Sequence, residues 1–217
     1  MPKWTDSLKA AIGNAVLTIF VKVGMRPKQI FQNKNRKNCN YGEPVIFVGN
    51  HTSHYDGIMT SVEFKKSKAD IIVAKDWFEK KSINWYLKNA RCIPMDRYGV
   101  DTGWLRNSKE AVKKGESIII FPEGKTSKDG NIGEFKSGFV MLSIMTGARI
   151  VPFVIDGKYK MVFGRRQRIY LGEPLALTEE GKSLTPKYME KESERFRQII
   201  QDMKAVSYTH LTLPTIA

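Results

Sequence analysis

Histidine and cysteine are scarce in this chain of 217 residues, and acidic residues are outnumbered by basic ones. Each shortage narrows what the protein can be. The two cysteines, Cys39 and Cys92, lie far apart with no C-x-x-C spacing. Such a pair builds neither a zinc site nor a disulfide framework, and the simplest expectation is two free thiols in a reducing compartment. The three histidines are His51, His54 and His210, so chemistry that needs imidazole has few positions to occupy. Asp and Glu number 22 against 36 Lys and Arg, a formal net charge of +14. That balance favours polyanionic partners: nucleic acid, an anionic membrane face or phosphorylated substrates. The hydrophobic fraction, 41%, is ordinary for a globular or peripheral protein and too low for a multi-span membrane protein. The length suits one domain with a real core, and no internal repeat or low-complexity segment interrupts it.

Both ends of the chain differ from its middle. Residues 1–25 contain Thr5, Asp6 and Ser7, then an apolar stretch of twelve residues between Lys9 and Lys22. A bilayer span needs about 20 apolar residues, and no small-residue cleavage site follows, so neither a spanning helix nor a signal peptide is expected. A helix packed on the domain and a helix lying in the membrane interface both fit this pattern. Residues 26–44 are polar and basic, with Pro27, Gly42 and Pro44, and read as a connecting loop. Residues 205–217 carry no Asp, Glu, Lys or Arg, although the preceding twenty are dense in them. That segment is set aside as a non-native tail, translated sequencing-adapter read-through, and His210 goes with it.

Between the ends, short apolar runs alternate with helical patterns. Strands are expected at 45–48, 71–74, 92–95, 117–121 and 150–155, with a further one at 165–171. Helices are expected near 57–66, through Trp77, Phe78, Trp85, Tyr86 and Leu87, through Trp104, Leu105 and Val112, at 139–145, and from Pro186 to Lys204. Continuous apolar strands separated by helices predict an α/β domain over 26–204, a mostly parallel central sheet flanked by helices. In such sheets ligands gather where strands hand over to helices. The polar clusters G-N-H-T-S-H-Y-D, D-R-Y and P-E-G-K-T-S stand at those junctions.

Three clusters carry chemistry. In N-H-T-S-H-Y-D-G (50–57), His51 and Asp56 would lie about 140° apart on one continuous helix. Across a strand-to-helix turn they can meet, the carboxylate holding the imidazole in the tautomer that accepts a proton. The plainer reading is that both residues cap the following helix. In F-P-E-G-K-T-S (121–127), glycine and small hydroxyl residues let backbone amides approach an anion while Lys125 adds charge. A P-loop would need glycine where Ile119 stands, so nucleotide binding by that motif is excluded, and an ordinary turn remains the alternative. In R-C-I-P-M-D-R (91–97), Arg97 at a strand end suits a phosphate, or is simply a surface arginine.

Taken in order, these blocks resemble the 1-acyl-sn-glycerol-3-phosphate acyltransferase family. N-H-T-S-H-Y-D is similar to its N-H-x-x-x-x-D block and I-P-M-D-R to its second, which ends in Arg. F-P-E-G-K-T-S is similar to the third, usually F-P-E-G-T-R-S, with the basic residue moved by one, and I-V-P-F to the fourth. E-F-K-S-G (134–138) resembles the Phe-Lys-x-Gly stretch after the third block. The likeness covers residues 45–155. It implies a fatty acyl transfer from coenzyme A or acyl carrier protein to a hydroxyl of a lysophospholipid, 1-acylglycerol-3-phosphate, in phospholipid biosynthesis. A lyso-aminolipid or another lysophospholipid is the alternative acceptor. On the same likeness His51 is the base and Asp56 its orienting partner, while Arg97, Glu123, Gly124, Lys125, Thr126 and Lys136 bind substrate. Amides at the start of the next helix are expected to stabilise the oxyanion. No metal and no cofactor beyond the thioester is implied, and His54 receives no role. The likeness tilts residues 1–25 towards an interfacial helix at an anionic membrane, on its cytoplasmic face. Nucleic acid is not an expected partner: there is no helix-turn-helix, RNA-binding or zinc signature, and the aromatics sit in apolar helical stripes.

Overall fold

The computed structural model describes residues 4–80, 84, 87, 90–97, 102–127, 129–157, 166–179 and 182–212. The expected helical positions Trp85 and Tyr86, and tail residues 213–217, lie outside them. Helix α1 (Trp4–Ile19) continues as a π-helical segment, Phe20–Met25. Then follow β1 (Lys28–Phe31), β2 (Val45–Gly49), α2 (Tyr55–Glu63), β3 (Asp70–Ala74) and the short α3 (Lys75–Glu79). After these come β4 (Cys92–Met95), α4 (Gly103–Lys113), β5 (Ile118–Ile120), α5 (Gly138–Thr146), β6 (Arg149–Asp156), β7 (Arg168–Leu171) and α6 (Pro186–Thr212).

The seven strands form one sheet in the order β1-β7-β6-β2-β5-β3-β4. The five strands from β6 to β4 pair in parallel, as the alternating pattern predicts. Two features depart from it. β7 runs antiparallel to β6, and β1 pairs with β7 inside the segment expected to be loop. Only four residues long and at the sheet's edge, β1 has no continuous apolar run to betray it; it exists because β7 offers it a ladder. At the other end α6 continues past Lys204 into the uncharged segment, as far as Thr212.

Side chains of successive strand residues point to opposite faces. Ile46, Val48, Ile118, Ile120, Ile150 and Val154 join Leu105, Phe139, Leu142, Phe196 and Ile200 in one buried cluster with α4, α5 and α6. Val45, Phe47, Ile119, Val151, Phe153 and Ile155 join Met59, Phe64, Val21 and Met25 in the other, with α2 and the π-helical segment. The parallel order turns the C-terminal ends of β2 to β5 to one side of the sheet. The described residues of each polar cluster singled out in the sequence lie there.

Candidate functional site

β2 ends in glycine because nothing larger fits. A Cβ on Gly49 would lie 2.4 Å from the Phe153 ring. Asn50 then prolongs the sheet with its side chain: Nδ2 donates to the Ile155 carbonyl (3.1 Å) and Oδ1 accepts from the Ile155 amide (2.8 Å). The chain leaves the sheet at His51, which opens a tight turn into α2.

His51 and Asp56 meet across that turn, Nδ1 to Oδ2 at 2.9 Å. Asp56 is fully buried, and the same oxygen accepts the amides of Thr52 (2.6 Å) and Ser53 (2.8 Å). One carboxylate therefore does both things the sequence left open: it fixes the turn before the helix and it engages the imidazole. With Nδ1–H donated to Asp56, the lone pair is carried by Nε2. The ring stacks on Phe121, centroids 4.6 Å apart at 22°, and Phe121 meets Phe153 edge-on at 5.8 Å.

The main chain of His51 is pinned as firmly as its ring. Its amide donates to Glu123 Oε1 (2.8 Å), and its carbonyl accepts the Ser127 amide (2.7 Å). Glu123 Oε2 accepts the Gly133 amide (3.0 Å). Glu123 is buried with both oxygens engaged by backbone, so its observed contacts support the His51 turn from behind. The amides expected to serve an oxyanion are also engaged: Thr52 and Ser53 by Asp56, and Tyr55 by Ser53 Oγ (3.3 Å).

A second group forms around Gly124, whose φ of +67° is one that other residues adopt at a cost. Its carbonyl accepts Arg97 Nη1 (3.3 Å), and the Lys136 ammonium lies 3.5 Å from where a Cβ would stand. Lys125 is exposed on the same turn and Thr126 is half-buried. Arg97 Nη2 donates to Asp76 Oδ2 at 2.5 Å, a contact that holds the Asp76 carboxyl below the usual carboxylate range. Beside it, Trp77 packs against His54, centroids 5.1 Å apart, and beneath the Lys80 ammonium at 3.7 Å.

The structure thus gathers His51, Asp56 and Glu123 into one cluster, and Arg97, Gly124 and Lys136 into another. Sequence reasoning gave no role to Asn50, Asp76, Phe121 or Ser127. Asp76 had a usable signal, since it stands directly after β3, as the other polar clusters stand after their strands. Among the described residues no group of three or more His, Cys, Asp or Glu side chains could hold a metal ion. Cys39 and Cys92 are both free thiols, and burial with the nearby Asp70 carboxylate pushes Cys92 up to about 12.

The model of one protein family, described as acyltransferase, matches residues 30–156. A chloroplastic 1-acyl-sn-glycerol-3-phosphate acyltransferase of Arabidopsis thaliana is 33% identical over 121 residues, covering 55% of this chain. The match spans only 33% of the plant protein's length. The Bacillus subtilis (strain 168) 1-acyl-sn-glycerol-3-phosphate acyltransferase is 27% identical over 145 residues, 65% of this chain and 71% of that one. The crystal structure of the Thermotoga maritima 1-acyl-sn-glycerophosphate acyltransferase, PlsC, shares the fold, with a TM-score of 0.60. It is 22% identical, covering 90% of this chain and 81% of that one.

Proposed function

The chain belongs to the acyltransferase family, and on that premise we propose that it moves a fatty acyl group from a thioester to the free hydroxyl of 1-acylglycerol-3-phosphate. The thioester is that of coenzyme A or acyl carrier protein, and the reaction serves phospholipid synthesis. The observation that carries the proposal is the His51–Asp56 contact of 2.9 Å beside the cations around Gly124. Nε2 of His51 takes the hydroxyl proton as the oxygen attacks the thioester carbonyl. The tetrahedral intermediate then expels the thiolate, which receives the proton from His51. No acyl-enzyme forms, because the substrate's own hydroxyl is the nucleophile. Arg97, Lys136 and the Gly124–Thr126 turn hold the acceptor phosphate, while Glu123 acts through the main chain of His51.

A panel of acyl donors against lysophospholipid acceptors, with products identified by mass spectrometry, tests this reading. It expects turnover of 1-acylglycerol-3-phosphate and much slower turnover of acceptors lacking the phosphate monoester. Equal rates on both, or better rates on a lyso-aminolipid, would overturn the acceptor assignment.

The role given to Glu123 has its own test. In Glu123→Gln one amide-accepting oxygen becomes an NH2 group facing a backbone N–H. A charge-assisted hydrogen bond of this kind contributes roughly 1.5–3 kcal/mol. The expected result is a drop of about tenfold in kcat and a lower melting temperature, with the acceptor KM changed less than twofold. A raised acceptor KM with kcat intact would return Glu123 to direct substrate contact.

The enzyme is also proposed to work at the membrane surface, on its cytoplasmic face. Ile12, Val16, Ile19 and Val23 are 56–64% exposed and recur at helical spacing along one side of α1 and the π-helical segment. Val21 on the opposite side is buried. Phe20, beside Ile19 of that stripe, lies 6.4 Å from the ring of Tyr55, itself 48% exposed and next in sequence to the Thr52–His54 turn. Among the described residues no helix is long and apolar enough to cross a membrane. Burying four half-exposed aliphatic side chains contributes about 1 kcal/mol each, and basic residues add about 1 kcal/mol each near an anionic leaflet. Val16→Asp with Ile19→Asp should lower binding to anionic vesicles at least tenfold in co-sedimentation, without loss of fold. Point substitutions are the right probe, because Val21 and Met25 belong to the core and removing all of 1–25 would expose it. Unchanged vesicle binding would move the membrane contact to another face.

A further inference from the structure

We propose that Asp76 is a resident counterion of Arg97, one that competes with the acceptor phosphate and sets how tightly a phosphorylated acceptor is held. The proposal rests on the reading of Arg97 as a phosphate contact. Asp76 lies outside the blocks that carry the family resemblance, yet its carboxylate takes Nη2 of Arg97 at 2.5 Å. Nη1 of the same guanidinium turns the other way, to the Gly124 carbonyl. The two ends of the ion pair differ in exposure, 27% for the Arg97 side chain and 43% for Asp76, so the acid lies on the solvent side.

A guanidinium presents a rigid fork of donors that fits a carboxylate and a phosphate equally well. Two anions cannot both have full use of one fork. A phosphate monoester carries more negative charge than a carboxylate and meets Lys136, whose ammonium reaches the Gly124 turn, so it wins the contest at a cost. That cost is modest, because an ion pair with this much exposure is weak. Lys80, whose charge also acts on Asp76, offers the displaced carboxylate a second cation just past the end of the same short helix. The contest applies equally to the product, which keeps the phosphate: Asp76 reclaims Arg97 as the product leaves. An acceptor without a phosphate neither displaces Asp76 nor feels its loss, so the pair affects phosphorylated ligands selectively.

The test is Asp76→Asn, which removes the charge at constant shape on an exposed side chain. The acceptor KM should fall roughly three- to fivefold, with the acyl-donor KM and kcat changed less than twofold. Inorganic phosphate, used as a competing anion, should inhibit the variant at correspondingly lower concentration. In an Arg97→Ala background the substitution should have no effect. An acceptor KM that rises in Asp76→Asn would make the acid a positioning residue for Arg97 and overturn the proposal, as would an unchanged one. Arg97→Ala separates the two levels of the argument. If it fails to raise the acceptor KM, the phosphate reading of Arg97 is wrong and the counterion falls with it. If it raises the KM while Asp76→Asn does not lower it, only the counterion role is wrong.

Discussion

His51→Ala is expected to lower kcat by about 10²–10⁴-fold, the usual worth of a positioned general base, while the protein stays folded. The imidazole is partly exposed, with 18% of its side-chain surface open. Its removal leaves Asp56 with the Thr52 and Ser53 amides as partners, so the turn into α2 keeps its frame. The neighbouring imidazole cannot substitute. His54 is exposed, stands three residues beyond His51 and packs its ring against Trp77. His54→Ala should therefore retain most activity. Steady-state turnover of both variants, with circular dichroism as the check on fold, decides the assignment. A silent His51→Ala, or a dead His54→Ala, would mean that the wrong histidine of the block has been chosen.

Asp56→Asn should lose about 10³-fold or more in kcat, for a different reason. Oδ2 alone takes Nδ1 of His51 and the Thr52 and Ser53 amides, so an amide oxygen in its place keeps all three contacts but carries no charge. The imidazolium that forms when His51 takes the hydroxyl proton then has no counter-charge beside it; an orienting carboxylate changed to an amide costs about 10⁴-fold in the serine protease triad. Stability should fall as well, by roughly 1.5–3 kcal/mol, because a charge-assisted acceptor at a fully buried position becomes a neutral one. Steady-state turnover measures the loss, and nitrogen-15 chemical shifts of the His51 ring should show its tautomer unchanged. Substantial remaining activity would reduce Asp56 to a cap for the turn.

The alternation of apolar runs with helices made the five-strand parallel block legible, because a strand buried on both faces must be apolar throughout. Val45–Gly49 and Ile118–Ile120 are such strands. β1 was not legible, since its residues Lys-Gln-Ile-Phe lie at an edge and owe their extended state to β7 rather than to composition. The reversal between β6 and β7 was hidden for the same reason: direction is a property of the pairing, not of either sequence. At the site, the spacing of His51 and Asp56 was enough to foresee a meeting across a turn, which the 2.9 Å contact realises. The inward orientation of Glu123 could not be read, because a carboxylate in a polar turn looks the same facing substrate or facing backbone amides. Nor could the partner of Arg97, which comes from a separate strand end.

The sheet's polarity has a practical side. β2 crosses the core in five residues, about 16 Å at 3.3 Å per residue. The His51 turn is at one end of that crossing. At the other, the 32–44 connection enters β2, with the exposed residues Asn33, Lys34 and Asn35 on its outer bend. A chemical handle at Lys34 would thus project from the back of the molecule. Immobilised through it, the protein would present its reaction end outward, towards a supported bilayer laid over the surface.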